Sequence, residues 1–436
     1  MPNFKVIVIG AGPVGLTAAH ALSKAGIDFV VLERRIDILE DVGASLVLDP
    51  HNLRVASQLG LLPKLRELGH EVLRTRSFTH DSLTWQSWFS HGAVQLMFHR
   101  AQLVQAFYEG LQKEDQARIH TDKKLASIEN TSDGVIVTCA DGSIYEGSIV
   151  LGADGAHSPT RKILRELALK TNPDADVDEE VPFPVEYKTM WCTVPRRYEF
   201  APGDACSTHG DAASVQYLVA SKRSWIFIYE KLDRPTRERV SYTEADMEAF
   251  AAKHGEMPLG DGVKVKDMFP HRTTCGMSNL EEGVLGRWSA GRIVLAGDAC
   301  HKFTPNAGLG LNNGIQDVVA LVNELHRCLQ AVGTGGGLPG QDELGAVFGR
   351  YQERRRAAAQ RDLEQSARVT RLCAWPNRLY WFVDQWILPS IPGYNEIMTR
   401  YRFSPNIAEG LCLDFVEGEE PFVGRVPWVH PIPNSE

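Results

Sequence analysis

The feature that most constrains the fold lies at the amino end of the chain, where a short apolar run leads into a glycine-rich turn. Residues 4–9 are almost continuously apolar, which is typical of a strand buried on both faces of a parallel sheet. Residues 14–25 then carry apolar side chains at helical spacing, and residues 29–32 resume as a second buried strand. These segments form a βαβ unit, which predicts an α/β chain built on a parallel sheet.

The turn of this unit carries the spacing GxGxxG at Gly10, Gly12 and Gly15, with Pro13 at the start of the helix. The first glycine permits the tight turn, the second lets a pyrophosphate approach the backbone, and the third allows helix and strand to pack closely. The helix N-terminus attracts phosphate. Glu33 ends the second strand, where a carboxylate accepts hydrogen bonds from a ribose and disfavours a 2′-phosphate. We therefore expect FAD or NAD rather than NADP.

A second strand with a glycine loop lies in the last third of the chain. Residues 292–296 read as a buried strand, and Gly297 and Asp298 follow at its carboxyl end, where α/β sheets bind their ligands. The loop at residues 304–310 leads into a helix expected to begin near residues 311–312, whose N-terminus would stabilise negative charge. Asp298 alone could be a helix N-cap. One cofactor long enough to be held at both ends would explain both loops.

Composition excludes several classes of protein. The net charge of −9 leaves no basic field for nucleic acid, and the hydrophobic fraction of 43% is ordinary for a soluble globular protein. The eight cysteines fall into no CxxC or Cys/His spacing, which indicates a reduced, intracellular protein without a metal site. The first strand begins by residue 4, so we expect no secretory signal.

One apolar run raises the question of a membrane. Residues 379–391 read LYWFVDQWILPSI, which is too short to span a bilayer and contains an aspartate and a proline. A packed terminal element is the favoured interpretation, and a helix lying on a membrane surface is the alternative. We expect a location that is cytoplasmic or peripheral to a membrane.

Other patterns predict the remaining elements. An Asp-Gly pair at 141–142 separates two alternating runs and favours a hairpin within residues 133–151. The arginine run at residues 354–356 is typical of a solvated helix face. Strands are predicted at residues 185–194, 213–220 and 224–230, and helices at residues 51–68, 100–112 and 342–372.

A third turn of small residues, with Asp154 and Gly155, lies between the two glycine loops. The boxes GAGPVG, Asp154-Gly155 and GDACHKFTPNAGLGLN, with Arg100 in HRAQLVQAF, stand in an order that resembles the single-component FAD-dependent monooxygenases of the aromatic-hydroxylase type. Four segments resemble more closely the fungal enzymes that epoxidise or hydroxylate indole diterpenes and meroterpenoids: ERRIDILEDVGASL at 33–46, HKFTPNAGLG at 301–310, TRLCAWPN at 370–377 and LDFVEGEEP at 413–421.

The resemblance implies a particular domain organisation. It predicts a Rossmann-like FAD-binding domain of the aromatic-hydroxylase fold, an inserted β-sheet substrate domain, and C-terminal helices. The FAD-binding domain would comprise residues 1–72, 100–170 and 286–330, the substrate domain residues 73–99 and 171–285, and the C-terminal helical region and tail residues 331–436.

The resemblance also assigns residues to FAD. Those at the ADP half would be Gly10, Gly12, Pro13, Gly15, Glu33 and Arg34, with Val47 and Arg100 near the middle of the cofactor. Asp154 and Gly155 would serve both FAD and a visiting nicotinamide nucleotide. Gly297 and Asp298 would hold the ribityl chain, and the flavin ring would lie along Pro305, Gly308, Gly310, Leu311 and Asn312. The chain has no second GxGxxG after a predicted strand, since the same spacing at Gly335, Gly337 and Gly340 lies in a glycine cluster typical of a flexible loop; this is expected of an NAD(P)H that docks and leaves.

The activity implied is insertion of one oxygen atom from O2 into a hydrophobic natural product. In such enzymes NAD(P)H reduces the flavin, oxygen adds at C4a, and the hydroperoxide delivers its distal oxygen. Tyr217 and Arg196 of the inserted sheet are candidates for a general acid or base. A flavin oxidase or dehydrogenase, and a non-catalytic FAD-binding redox sensor, are the alternatives. We expect a monomer or weak dimer, and peripheral membrane contact through the C-terminal region is the alternative to a packed terminal element.

Overall fold

The computed structural model describes residues 4–41, 45–79, 82–88, 93–333 and 337–434. These residues form an α/β fold with two large sheets, as predicted. The central sheet has six strands, parallel except at the first edge strand. Its spatial order is Ser289–Ala290, Ile293–Leu295, Ile149–Gly152, Lys5–Ile9, Asp28–Leu32 and Ile119–His120.

The second large sheet has seven strands and is mainly antiparallel. One pair is parallel, the strands that begin at Arg74 and Asp204. Its strands come from two separate stretches of the chain. Between these stretches, the sequence forms elements that pack on the central sheet. The spatial order of the seven strands is Thr274–Glu281, Val185–Pro195, Arg223–Thr236, Ala213–Val219, Asp204–His209, Arg74–Thr79 and Ser82–Trp88. The limits of the domains stay a prediction.

Four smaller sheets complete the β-structure of the described residues. The predicted hairpin is confirmed, since Val135–Cys139 pairs antiparallel with Ile144–Gly147 across the Asp-Gly turn. The remaining strands are Leu125–Asn130 beside that hairpin, Ser45–Leu48 with Leu96–His99 and His70–Glu71, Pro258–Gly260 with Val263–Lys264, and Gly283–Val284 with His301–Lys302.

Helices cover both the central sheet and the junction between the sheets. The α-helices are Pro13–Lys24, Pro50–Gln58, Leu62–Leu68, Arg100–Glu109, Lys113–Gln116, Pro159–Thr171, Glu244–Lys253, Val265–Met268, Leu309–Gly333, Gln341–Cys373, Arg378–Phe382, Leu388–Ser390, Tyr394–Met398 and Ser404–Ala408. Short 3₁₀ turns are Phe269–His271, Gly297–Ala299 and Pro305–Ala307, and π-helical turns are Val383–Ile387 and Thr399–Phe403.

Three helical predictions differ from the structure in their limits, and the simplest case is the helix expected over residues 100–112, which ends at Glu109. The helix expected over residues 51–68 is divided into two, because Gly60 adopts φ = 78° in the left-handed region and ends the first helix. The helix expected near residues 311–312 begins at Leu309, directly after Gly308 with φ = 68°. That earlier start brings the helix N-terminus to the end of the glycine loop.

The favoured interpretation of residues 379–391 as a packed element was also wrong. Leu379, Trp386 and Phe382 are 67%, 62% and 47% exposed. The segment is attached from its other side, where buried Asp384 accepts a hydrogen bond from Trp375 Nε1 at 2.9 Å and meets His209 Nδ1 at 2.9 Å. No helix within the described residues is long and apolar enough to cross a membrane.

Candidate functional site

Three neighbouring strands of the central sheet run parallel and end at the same edge. Each is followed by one of the predicted boxes: Gly10 after Lys5–Ile9, Asp154 after Ile149–Gly152, and Gly297 after Ile293–Leu295. The carboxyl ends of parallel strands are where α/β sheets bind ligands. The topology therefore brings together sequence elements from both ends of the chain.

The first glycine turn is packed too closely for side chains at two of its three glycines. A Cβ atom at Gly15 would lie 1.9 Å from the carbonyl oxygen of Gly10. Gly10 itself has φ = 103°, and its Cβ would lie 2.7 Å from the carbonyl oxygen of Ala153 beside Asp154. Gly12, in contrast, has open space beside it and is the N-cap of the helix that follows. A phosphate can therefore approach the backbone at Gly12.

Glu33 is buried, and its carboxylate braces the same turn. Its two oxygens accept hydrogen bonds from the backbone N–H of Ala11 at 2.8 Å and of Arg35 at 2.9 Å. The acid therefore stands beside the first glycine turn, where the sequence placed it. Contact of Glu33 with a ribose stays a prediction. Arg34 is exposed.

The second glycine loop packs directly against the first helix. Cβ atoms built at Gly297 and Gly314 would lie 3.1 and 2.5 Å from Val14 Cγ2. Gly297 has φ = 62°, so the backbone turns sharply as it leaves the strand. Pro305 is exposed in the 3₁₀ turn before Gly308. Both glycine loops thus face one region at the edge of the sheet.

Asp298 and Arg100 link the two ends of this region. Asp298 caps no helix through its side chain; its carboxylate lies 3.4 Å from Lys302 Nζ, and Gly310 leaves space beside its Oδ1. Arg100 interacts electrostatically with both Glu33 and Asp298, and burial lowers the pKa of its guanidinium. Arg100 is thus a cation that interacts with two acids, Glu33 and Asp298, which lie far apart in the sequence. This arrangement fits an elongated ligand with negative charge in its middle.

Asp154 organises the third turn. Its carboxylate accepts hydrogen bonds from Ser158 Oγ and from the backbone N–H of Thr160, the latter at 2.9 Å. Ser158 in turn caps the helix by accepting from Arg161 N at 2.9 Å. Burial raises the pKa of Asp154, and these hydrogen bonds oppose the effect. Gly155 beside it has φ = 80° and open space at its Cβ position.

Asn312 joins the second loop to the strand that contains Val47. Its Nδ2 donates to the carbonyl oxygens of Val47 at 2.9 Å and Gly308 at 2.8 Å, while its Oδ1 accepts from Asp49 N at 2.9 Å. Gly310 and Leu311 lie in the first turn of the same helix. The residues predicted to follow the flavin ring are therefore held together by one buried amide.

A buried network behind the second loop was missed by the sequence. Asp317 accepts from Gly297 N at 2.9 Å and Arg355 Nε at 2.9 Å, and its Oδ2 lies 2.6 Å from His301 Nε2. The histidine and the arginine offset burial and lower the pKa of Asp317 to about 2. Arg355 is thus buried and structural, unlike its exposed neighbours at 354 and 356. The sequence spacing between Gly297 and Asp317 did not indicate that the two residues are in contact.

Two residues of this network, His301 and Asp317, also belong to a group of side chains with the geometry of metal ligands. Cys300, His301 and Asp317 approach one another closely enough to hold an ion. However, Cys300 Sγ donates to the carbonyl oxygen of Gly297 at 3.4 Å, and burial raises its thiol pKa well above the ordinary value. A neutral thiol beside a carboxylate already paired with Arg355 is a poor metal site. All eight cysteines of the chain are free.

The two catalytic candidates lie away from the glycine loops. Tyr217 is fully buried and packs edge-on against Phe200 at 4.9 Å, and burial raises its pKa to about 12. Arg196 donates to the carbonyl oxygen of Phe200. Because side chains alternate along a strand, Gln216 faces the other way, and its Nε2 donates to the carbonyl oxygen of Asn306 at 3.3 Å. Among the described residues, neither candidate hydrogen-bonds to a residue of the two glycine loops.

A cavity of about 650 Å³ opens beside the second glycine loop. Ala307 and Leu309 of that loop line it, together with Thr75 of the seven-stranded sheet. The long helix Gln341–Cys373 and the C-terminal segment 395–411 close its other sides. Its volume lies within the range of small-molecule sites, which is about 300–1,000 Å³.

Comparison with known proteins decides the family. A family model described as FAD binding domain matches residues 3–366. The FAD-dependent monooxygenase spyC of Aspergillus fumigatus is 34% identical over 434 residues, covering 95% of this chain and 88% of that protein. The FAD-dependent monooxygenase esdpE of Penicillium shearii is 30% identical over 447 residues, covering 100% and 90%. The chain belongs to the FAD-dependent monooxygenases.

Solved structures share the fold of this monooxygenase. The structure of Klebsiella pneumoniae HpxO complexed with FAD and uric acid has a TM-score of 0.71 at 20% identity, covering 93% of this chain and 96% of that one. The p-nitrophenol 4-monooxygenase PnpA from Pseudomonas putida DLL-E4 has a TM-score of 0.72 at 18% identity, covering 93% and 99%. At these identities the likeness establishes the fold.

The residues at the sheet edge fit FAD. The open backbone at Gly12 would suit a pyrophosphate, Arg100 would neutralise charge in the middle of the cofactor, and the N-terminus of the helix beginning at Leu309 would suit its far end. FAD is the cofactor of this family, and NAD(P)H is its typical reductant. The expectation that two distant glycine loops serve one long cofactor agrees with this geometry.

Proposed function

We propose that this monooxygenase consumes NAD(P)H and O2 to insert one oxygen atom into a hydrophobic natural product, by epoxidation or hydroxylation of an indole, prenyl or aromatic group. The observation that carries the proposal is the cavity of about 650 Å³ that borders the second glycine loop at Ala307 and Leu309. Its volume suits a polycyclic or prenylated molecule better than a simple phenol.

The protein's own residues supply binding, orientation and exclusion of water. Gly12 and Glu33 would hold the ADP half of FAD, Arg100 would lie near its middle, and Asp298 with the helix N-terminus at Leu309 would hold the flavin half. When bound, FAD supplies the activation of O2 by two electrons from NAD(P)H. The long helix Gln341–Cys373 and the segment 395–411 form part of the cavity wall and would help to orient a substrate beside the second glycine loop.

The related proteins support the natural-product assignment. Both spyC and esdpE are fungal FAD-dependent monooxygenases that match almost the whole chain. Secondary metabolism is therefore the proposed context, with no nucleic acid among the partners and a monomer or weak dimer as the proposed assembly.

Substrate-stimulated turnover tests this function. Purified FAD-loaded protein is mixed with NADPH and a panel of prenylated indoles, prenylated phenols and polycyclic terpenes, and both NADPH and O2 are followed. We expect at least one compound to accelerate both consumptions and to gain an oxygen atom. Substrate oxidation without uptake of oxygen would indicate an oxidase or dehydrogenase, and no stimulation by any compound would favour a redox sensor.

The proposal includes peripheral membrane contact through the C-terminal region. Exposed aromatic and aliphatic side chains are concentrated there, among them Leu379 at 67%, Trp386 at 62% and Tyr401 at 71%. Arg378 and Arg400 flank them. Apolar side chains with tryptophan, tyrosine and arginine are typical of helices that lie in a membrane interface. The neighbouring segment 395–411 lines the cavity, so a lipid-borne substrate would have a short path to it.

Vesicle sedimentation tests this contact independently of turnover. We expect the protein to bind phosphatidylcholine vesicles containing phosphatidylserine, and the double variant Leu379→Ser, Trp386→Ser to lose most of this binding. The matched control is Ile144→Ser with Tyr198→Ser, which removes side chains 63% and 88% exposed outside the C-terminal region. Equal vesicle binding by both double variants would contradict the assignment.

A further inference from the structure

Asp49 is a buried carboxylic acid in the wall of the cavity. It is 7% exposed and follows the strand Ser45–Leu48 that runs beside the second glycine loop. Although it occupies the N-cap position of helix Pro50–Gln58, its side chain makes no capping hydrogen bond. The usual reason for an aspartate at a helix start is therefore missing.

The surroundings satisfy this carboxyl group only in part. Among the described residues, its side chain accepts one hydrogen bond, from Gln95 Nε2 at 2.5 Å. An ionised carboxylate has about four acceptor positions, so one amide donor leaves it short of partners. Burial, reinforced by Asp362 across the cavity, raises the pKa of Asp49 to about 6. Asp362 is better supported, because Asn313 Nδ2 donates to it at 2.8 Å and Arg361 Nε lies 3.7 Å away.

The charges around the cavity select the ligand group that fits. A carboxylate on the ligand would meet Asp49 and Asp362 with like charge. A cation would meet Arg354 with like charge, whereas Arg361 in the same lining is paired with Glu409 at 2.6 Å. A neutral donor such as a hydroxyl or N–H group satisfies Asp49 without either penalty, and it removes the cost of a buried acceptor that lacks a donor.

We propose that Asp49 determines substrate specificity by accepting a hydrogen bond from a hydroxyl or N–H group on an otherwise apolar substrate. This inference rests on the proposed function and names the substrate class of that site. The backbone N–H of Asp49 donates to Asn312, which also bonds to Gly308 of the second glycine loop. A donor held at Asp49 therefore fixes the position of the rest of the substrate relative to that loop.

The test compares two probes that differ only in the donor: 2-farnesylphenol and its methyl ether. Their Kd values are measured on the FAD-loaded full chain through the change in flavin absorbance, with no turnover required. We expect the wild type to bind the phenol at least about tenfold more tightly, because a buried acceptor left without its donor costs about 1–3 kcal/mol.

Two variants assign this preference to Asp49. Asp49→Val is expected to bring the two Kd values within about threefold of each other because no acceptor remains, whereas Asp49→Asn keeps a neutral carbonyl acceptor and should retain part of the preference. Retention of FAD shows that each variant is folded. The matched control is Asp115→Asn, another carboxyl group that is 7% exposed but lies outside the cavity lining; its partners are Ser23 Oγ at 2.5 Å and Arg118 Nη1 at 3.5 Å. It should keep the wild-type preference.

Three outcomes overturn the inference: equal Kd values in the wild type, failure of the wild type to bind either probe, and a preference unchanged in Asp49→Val. These results are separate from the proposed function, which fails only if oxygen and NADPH consumption are never stimulated. A selective wild type without oxygenation would keep the role of Asp49 and remove the monooxygenase reaction.

Discussion

Asp317 offers the sharpest test of how the site is held. Its carboxylate binds Gly297 N–H, Arg355 and His301 behind the second glycine loop and is fully buried. Its pKa of about 2, against an ordinary 3.8, corresponds to about 2 kcal/mol of stability at 1.36 kcal/mol per pKa unit. Removing one partner of a buried ion pair also leaves Arg355 without its counter-charge, which costs about 3–5 kcal/mol. We expect Asp317→Asn to lose about 3 kcal/mol.

The assay is thermal unfolding of the FAD-loaded protein, followed by release of flavin fluorescence. In large domains 1 kcal/mol shifts Tm by about 2 °C or less, so we expect a decrease of about 3–6 °C. A depressed carboxyl pKa stabilises above the unfolded pKa and the effect is lost as pH falls towards 2. The Tm difference should therefore be constant from pH 6 to pH 8.

The control for this prediction is an ion pair on the surface. Glu67→Gln breaks the exposed pair with Lys64 Nζ at 3.0 Å, which is expected to contribute less than about 1 kcal/mol. If Asp317→Asn unfolds at the same temperature as Glu67→Gln and keeps its FAD, the buried network does not hold the loop.

The same region of the molecule yields three more predictions. Burial raises the pKa of Asp49 to about 6, so ionisation of this carboxyl group destabilises the folded protein as pH rises from 3.8 to 6. Asp49→Asn should therefore increase the free energy of unfolding by about 3 kcal/mol above pH 6 and leave it unchanged near pH 4. Urea titration at the two pH values measures this difference. Gly10→Ala, with φ = 103° and a Cβ 2.7 Å from a carbonyl oxygen, should lose bound FAD, whereas Gly345→Ala, in open helical space, should keep it, as judged by flavin absorbance. Asp298→Ala and Glu33→Ala should each weaken FAD binding at least about tenfold in fluorescence titrations, since each removes a carboxylate at one end of the cofactor region; unchanged affinities would contradict the cofactor placement.

The sheet edge was predictable because its signals are local. Glycine spacing, buried strands and Glu33 all lie within one βαβ unit, and their physical requirements act over a few residues. The boxes at Asp154 and Gly297 were likewise read from the strand that precedes each. The three turns meet because their strands are neighbours in the central sheet. The sequence implied this strand order only through the family resemblance, which rests on the order of the three turns along the chain.

The supporting contacts were not predictable because they join residues far apart in sequence. In the sequence, Asp317 and Arg355 are ordinary charged residues of two helices, and they meet only when the helices pack. Arg355 stands between two exposed arginines, so the sequence did not indicate that Arg355 is buried. The sequence did not show which face of the strand containing Tyr217 meets the second loop; the structure places Gln216 on that face. Which side of residues 379–391 is exposed is set by Asp384, because its hydrogen bond with Trp375 attaches the opposite side of the segment to the protein.

Isotope labelling tests the central claim most directly. The FAD-loaded protein is supplied with NADPH, ¹⁸O₂ and any compound of the panel that stimulates oxygen consumption, and the product is analysed by mass spectrometry. A monooxygenase predicts one ¹⁸O atom per product molecule and the second labelled atom in water. An oxidised product that contains no ¹⁸O would contradict the account and assign the chain to the flavin oxidases or dehydrogenases.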